Sequence, residues 1–125
     1  MIAVVAAVIE ERGCFLVTQR PEGAHLAGLW EFPGGKIDAS ETHAQALRRE
    51  IREELDADVE VGDLMYYTAH DYGDRGVMLY FYRCSLRGTP RPRLGQQMQW
   101  VPRAELRTLG FPPADDELIA RLAAE

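Results

Sequence analysis

Only one interior stretch of this chain repeats its apolar residues at helical spacing, and runs that read as strands hem it in on both sides. Between about Glu41 and Leu55, the residues Ala44, Leu47, Ile51 and Leu55 recur at three- and four-residue steps, the pattern of a helix with one buried stripe. Ser40 stands where its hydroxyl can accept from the unpaired N–H groups of the first turn, so it is the expected cap. Upstream, Met1 to Ile9 is an unbroken apolar, β-branched run. It reads as a buried strand entering a hairpin at Glu10-Glu11-Arg12-Gly13, with Cys14 to Arg20 as the returning strand. Downstream, Val59 to about His70, Val77 to Tyr82 and Met98 to Val101 have strand character. The turn-rich Asp71-Tyr72-Gly73-Asp74-Arg75-Gly76 and a surface loop from Gly88 to Arg93 separate them. Pro113-Ala114-Asp115-Asp116 opens a final helix whose stripe is Leu118, Ile119 and Leu122. Strands around one central helix, with a second helix at the end, predict an α/β domain with a mixed sheet.

Size and charge narrow the function. A chain of 125 residues with 46% hydrophobic and 27% charged residues builds one core, so residues 1–125 are read as a single domain. Its formal net charge of -6 argues against a nucleic-acid polymer as partner, because phosphate backbones are held by clustered Lys and Arg. A single nucleotide stays open, since metal ions on some of those acids can meet its phosphates. The apolar N-terminus lacks the basic start of a signal peptide, and nine residues cannot span a bilayer. Cys14 and Cys84 sit in apolar stretches and read as two reduced, buried thiols. The expectation is a cytoplasmic protein without a membrane partner.

The helix also carries the chemistry. Glu50, Glu53 and Glu54 stand at i, i+3 and i+4, so their carboxylates share one face. Like charges at that spacing cost roughly 0.2–0.5 kcal/mol per pair. Arg49 and Arg52 are offset by one position and cannot neutralise the whole cluster. A solvated acidic face is one account. A hard divalent cation is a better one, because Mg²⁺ takes carboxylate oxygens and bridges to substrate phosphates. Just upstream, Gly34 and Gly35 let the backbone approach a ligand closely, with Lys36 beside them.

Residues 35–57 resemble the box of the Nudix hydrolases, G-x5-E-x7-R-E-U-x-E-E-x-G-U with U a bulky aliphatic. Gly35, Glu41, Arg49, Glu50, Ile51, Glu53 and Glu54 match seven of its nine specified positions. Asp56 stands in place of Gly at the helix end, where a left-handed residue is called for and Asp tolerates it better than most. Ala57 stands in place of an aliphatic, with Val59 nearby to compensate. The segments Leu29-Trp30-Glu31-Phe32-Pro33-Gly34-Gly35-Lys36 and Phe111-Pro112-Pro113-Ala114 extend the resemblance to the MutT branch, the nucleotide-pool-cleaning pyrophosphohydrolases.

The resemblance implies the Nudix fold, a mixed curved β-sheet sandwiched between helices (α/β/α). It implies an Mg²⁺-dependent enzyme, with Mn²⁺ as a substitute, that converts a nucleoside triphosphate and water to the monophosphate and pyrophosphate. Glu50, Glu53, Glu54 and the Gly34 carbonyl would hold the metal. One of these glutamates, or a metal-bound hydroxide, would be the base, with Arg49 orienting Glu50 or its neighbours. Arg20, His25, Phe32 and Arg75 fall on nucleotide-contacting positions, beside Gly34, Gly35 and Lys36. Arg20 suits phosphate oxygens; His25 is equally a solvated loop residue, and Phe32 either stacks on a base or packs in the core. Trp30, Tyr66, Tyr80 and Trp100 read as core or pocket wall. Gln99 stands where the branch can carry an extra acidic ligand.

Asp115 stands where the 8-oxo-dGTP enzyme has Asn. An ionised Asp only accepts hydrogen bonds, so it suits the exocyclic amine of cytosine, and the Pro-Ala-Asp motif resembles that of the relatives that cleave CTP and 5-methyl-dCTP. It can also accept from the N–H edge of guanine, which keeps 8-oxo-dGTP open, and either Asp115 or Asp116 can instead cap the final helix. The competing readings are a non-catalytic nucleotide-binding domain and a Nudix enzyme for another nucleoside diphosphate derivative. A monomer and a homodimer are both compatible with the sequence.

Overall fold

The apolar run at the N-terminus becomes the central strand of the molecule, because it is covered on both faces. The computed structural model describes residues 1–71, 73 and 75–125. In chain order its elements are β1 (Ile2–Glu11), β2 (Cys14–Gln19), β3 (Trp30–Glu31), β4 (Gly34–Lys36), α1 (His43–Leu55), β5 (Asp58–Asp71), β6 (Gly76–Arg87), β7 (Met98–Pro102) and α2 (Asp116–Ala124). Short 3₁₀ helices span Arg103–Thr108 and Pro113–Asp115. The strands run in the order β3-β2-β1-β6-β5, with β4 also on β1 and β7 also on β2. β1 and β6 are parallel, from Ile2↔Val77 to Ile9↔Cys84, and the other pairings are antiparallel, so the sheet is mixed as expected.

Side chains of β1 alternate between two cores. Val5, Ala7 and Ile9 pack with Leu47, Ile51 and Leu55 of α1, while Ala6 and Val8 pack with Phe15, Phe81 and the α2 stripe Leu118, Ile119 and Leu122. A strand buried on both faces loses the polar alternation of a half-exposed one, which is why its sequence is continuously apolar. The layers are therefore helix, sheet, helix.

Several boundaries differ from the sequence reading. α1 begins at His43, and its cap is Thr42 rather than Ser40: Gln45 N–H donates to Thr42 Oγ1 at 3.1 Å and Thr42 N–H donates to Gln45 Oε1 at 2.9 Å, a full capping box. The start moves because Glu41 belongs to the preceding turn, where its carboxylate accepts from the Asp38 N–H at 2.9 Å. The buried face of α1 takes in Ala46, with Ala44 only half-buried, since the helix lies against β1, β4 and β5. β6 continues past Tyr82 to Arg87, with Cys84 buried while Arg83 and Ser85 are exposed, a period-two pattern continuing that strand. Of the expected turn between β5 and β6, Tyr72 and Asp74 lie outside the described residues.

The two departures from the box are accommodated. Asp56 adopts the left-handed conformation, φ 51° and ψ 40°, and its N–H donates to the Arg52 carbonyl at 3.1 Å. Ala57 and Val59 both enter the α1 core. Both cysteines are free thiols; Cys84 is buried and burial pushes it up to about 11, whereas Cys14 is only half-buried, at the hairpin end of β2.

Candidate active site

The site is assembled where β4 lies against both β1 and the face of α1. β4 pairs with β1 through Val5↔Gly35 and Ala6↔Gly34. A Cβ on Gly34 would collide with the Val5 carbonyl, and one on Gly35 would collide with the Glu50 carboxyl group. Glycine is thus required here for close approach, of backbone to backbone and of backbone to carboxylate.

Arg49 organises the acidic face. Its Nε and Nη2 donate to the two oxygens of Glu41 at 2.6 and 2.9 Å, a bidentate pair that, with the Asp38 N–H, holds Glu41 down at about 2. Nη2 also donates to the Lys36 carbonyl at 2.9 Å, and Nη1 donates to Glu50 at 2.8 Å and to Glu53 at 3.4 Å. These bonds clamp the start of the box, β4 and α1 together, and they raise the pKa of Arg49 itself.

Glu54 is different. Burial, then the charges of Glu50 and Glu31, push its carboxyl up to about 8, against one hydrogen bond from the Gly34 backbone. Glu50 is also raised by burial, with Arg49 opposing. Glu50 and Glu54 line a cleft of about 340 Å³, and Glu53, 59% exposed, lies outside that lining on the Arg49 side. Among the described residues no three carboxylate, imidazole or thiol side chains are gathered closely enough to hold a metal ion by themselves.

The same cleft gathers Arg20, His25, Phe32, Gly34, Gly35, Lys36, Arg75 and Asp115, over an apolar floor of Val4, Ala6, Val77, Leu79 and Phe81. Arg20 is bound at both ends of its guanidinium, with Nη1 on Glu31 Oε2 at 2.7 Å and Nε on the His25 carbonyl, so it braces the loop before β3. His25 itself is exposed. Phe32 is wall rather than open stacking surface: it stacks on Phe111 at 5.5 Å and meets Phe81 edge-on at 6.2 Å. Trp30, Tyr66, Tyr80 and Trp100 pack against the cores and are not part of the cleft lining. Gln99 is exposed on β7 and is likewise absent from that lining.

Asp115 is 5% exposed and makes no side-chain capping bond to α2, so the capping alternative does not hold for it. Burial pushes it up to about 7, with Glu31 and then Asp116 adding to the rise. Glu31 is the residue the sequence reading overlooked. It is raised by burial against the pull of Arg20, and its charge bears on both Glu54 and Asp115. The one signal available was a charged residue set between two aromatics, Trp30 and Phe32.

Residues 4–121 match the NUDIX domain. The chain is 37% identical to the CTP pyrophosphohydrolase of Escherichia coli, over 99% of this chain and 93% of that protein. It is 39% identical to the 8-oxo-dGTP diphosphatase of Haemophilus influenzae, over 100% of this chain and 93% of that protein. The solution structure of the E. coli ORF135 protein superposes with a TM-score of 0.87 at 37% identity, covering 99% of this chain and 89% of that one. A MutT structure from work on Aliivibrio salmonicida and Vibrio cholerae gives 0.82 at 31% identity, over 99% and 97%.

Proposed function

Because the chain belongs to the Nudix hydrolase family, we propose that it is an Mg²⁺-dependent nucleoside triphosphate pyrophosphohydrolase that clears modified or non-canonical nucleotides of cytosine type (CTP, 5-methyl-dCTP) or 8-oxo-dGTP. The observation that carries this is the single cleft in which Glu50 and Glu54 share a wall system with Asp115 over an apolar floor. It offers hard oxygen donors for phosphate chemistry together with a buried acid to read a base.

The donor set fits a divalent cation. Glu54 is half-buried, and every charged neighbour that shifts it is acidic: Glu50, Glu31 and Glu53. Such a group calls for a cation. Glu50, Glu53, Glu54 and the Gly34 carbonyl would hold it, Mg²⁺ by preference and Mn²⁺ as substitute. Bound there, the ion would supply charge neutralisation for the carboxylates and the triphosphate. Glu50 takes the proton of the attacking water, since it alone of the three glutamates both lines the cleft and is hydrogen-bonded by Arg49. Arg49 orients Glu50. Arg20, Lys36 and Arg75 meet phosphate or sugar oxygens, His25 closes the rim, and Phe32 backs the base. The net charge of -6 favours a free nucleotide over a nucleic-acid polymer, and among the described residues no helix is long and apolar enough to cross a membrane.

Above about pH 7, where it is ionised, Asp115 accepts from the exocyclic amine of cytosine. Pyrophosphate release from a panel of canonical and modified triphosphates should show turnover of CTP, 5-methyl-dCTP or 8-oxo-dGTP well above the canonical deoxynucleotides. Asp115→Ala should then lower turnover of the preferred cytosine nucleotide roughly ten- to a hundredfold, the worth of about 1.5–3 kcal/mol for a hydrogen bond to a charged group. Asp115→Asn should shift preference towards 8-oxo-dGTP. Preference ratios untouched by either change would remove Asp115 from base reading.

A further inference from the structure

We propose that segment 91–97 is a strap that fixes Glu54 through the last turn of α1, and that Gln96 is its positioning residue. The inference rests on the reading of Glu54 as a metal ligand.

The final carbonyls of any helix lack partners within it, and a helix end without them frays. Glu54 is the penultimate residue of α1, so a half-buried, cleft-lining carboxylate that needs a fixed position hangs from the least secure turn of its helix. The strap supplies the missing donors. Arg91 N–H donates to the Leu55 carbonyl at 2.7 Å, and Arg93 N–H donates to the Glu54 carbonyl at 2.9 Å. Gln96 Nε2 donates to the same Glu54 carbonyl at 3.1 Å. Its amide works from both ends, because Oε1 accepts the Leu94 N–H at 2.8 Å and so holds the strap's own turn in shape. The far end is tied as well: the Gln97 carbonyl accepts the Gln19 N–H at 3.0 Å, one residue before Arg20 enters the cleft. Glu54 is thereby held by backbone bonds to a segment of chain that contributes nothing to the cleft lining itself.

Two substitutions divide the amide's roles. Gln96→Glu keeps the acceptor for Leu94 and loses the donor to Glu54, while Gln96→Lys keeps a donor and loses the acceptor. Mn²⁺ binding to the nucleotide-free protein is measured by titration calorimetry, beside turnover as a function of metal concentration. Gln96→Glu should raise the Mn²⁺ dissociation constant about three- to tenfold, with turnover at saturating metal within about twofold of wild type. Its added negative charge would by itself tighten cation binding, so weakening cannot be a charge effect. Gln96→Lys, which keeps a donor, should bind Mn²⁺ more tightly than Gln96→Glu, the reverse of the order that the two added charges alone would give. If Gln96→Glu does not fold, Gln96→Met takes its place with the same expected loss. Leu122→Ala, in the core beneath α2, should lower the melting temperature and leave the Mn²⁺ constant unchanged. Folded Gln96→Glu and Gln96→Met that both bind Mn²⁺ as tightly as wild type overturn the strap alone. A wild-type protein that binds no Mn²⁺ overturns the metal reading and the strap with it.

Discussion

Glu54 and Asp115 both resist ionisation in the fold, and the direction of that resistance sets the pH behaviour of the metal-free protein. Each folded pKa lies above the ordinary carboxylate value, at about 8 and about 7, so the protonated forms favour the folded state. That contribution is complete below the unfolded values and is lost as pH rises through the folded ones. The melting temperature of metal-free protein should therefore fall between pH 5.5 and 8.5. Glu54→Gln, which carries no charge to bury, should melt higher than wild type at pH 8.5, with the gap narrowing towards pH 5.5 and closing only below the ordinary value of 4.5, while losing most activity. Equal melting of the two proteins at pH 8.5 would mean that Glu54 is hydrated rather than desolvated. The glutamates of α1 were legible in the sequence because helical spacing is a local property. Glu31 and Gln96 were not, because each takes its meaning from a residue distant along the chain: Glu31 from Arg20, 11 positions away, and Gln96 from Glu54, 42 positions away.

At the level of elements, α1 shows how close a local reading comes and where it slips. Its apolar stripe was visible, but two hydroxyl residues, Ser40 and Thr42, compete for the cap in sequence. The choice falls to Thr42 because Gln45 answers it from three residues on and because Glu41 is drawn into the turn by Arg49. Thr42→Ala should destabilise the protein by about 1 kcal/mol in urea unfolding, and Ser40→Ala by no more than a few tenths. Equal losses would place the cap elsewhere. Strand positions were readable from apolar runs and turn residues. The parallel pairing of β1 with β6 was not, since nothing local in residues 2–9 specifies a partner near residue 77.

Across the whole molecule, β1 contributes side chains to both cores, so neither face can melt and leave the other intact. Each core also holds a reporter: Trp100 packs against the α1 side and Trp30 against the α2 side. Urea unfolding followed by fluorescence in Trp30→Phe, which reports Trp100, should share its midpoint with the circular dichroism of the same variant, and Trp100→Phe should behave likewise. Separate midpoints within one variant would reveal two independently folding halves. The division of the two helices has another consequence. The glutamates come from α1, while Asp115 comes from the 3₁₀ turn that leads into α2 on the opposite face of the sheet. On the proposed reading, that separation means a gene copied and left to drift can have a handful of codons around Asp115 rewritten for a new nucleobase while those of α1 are inherited unaltered.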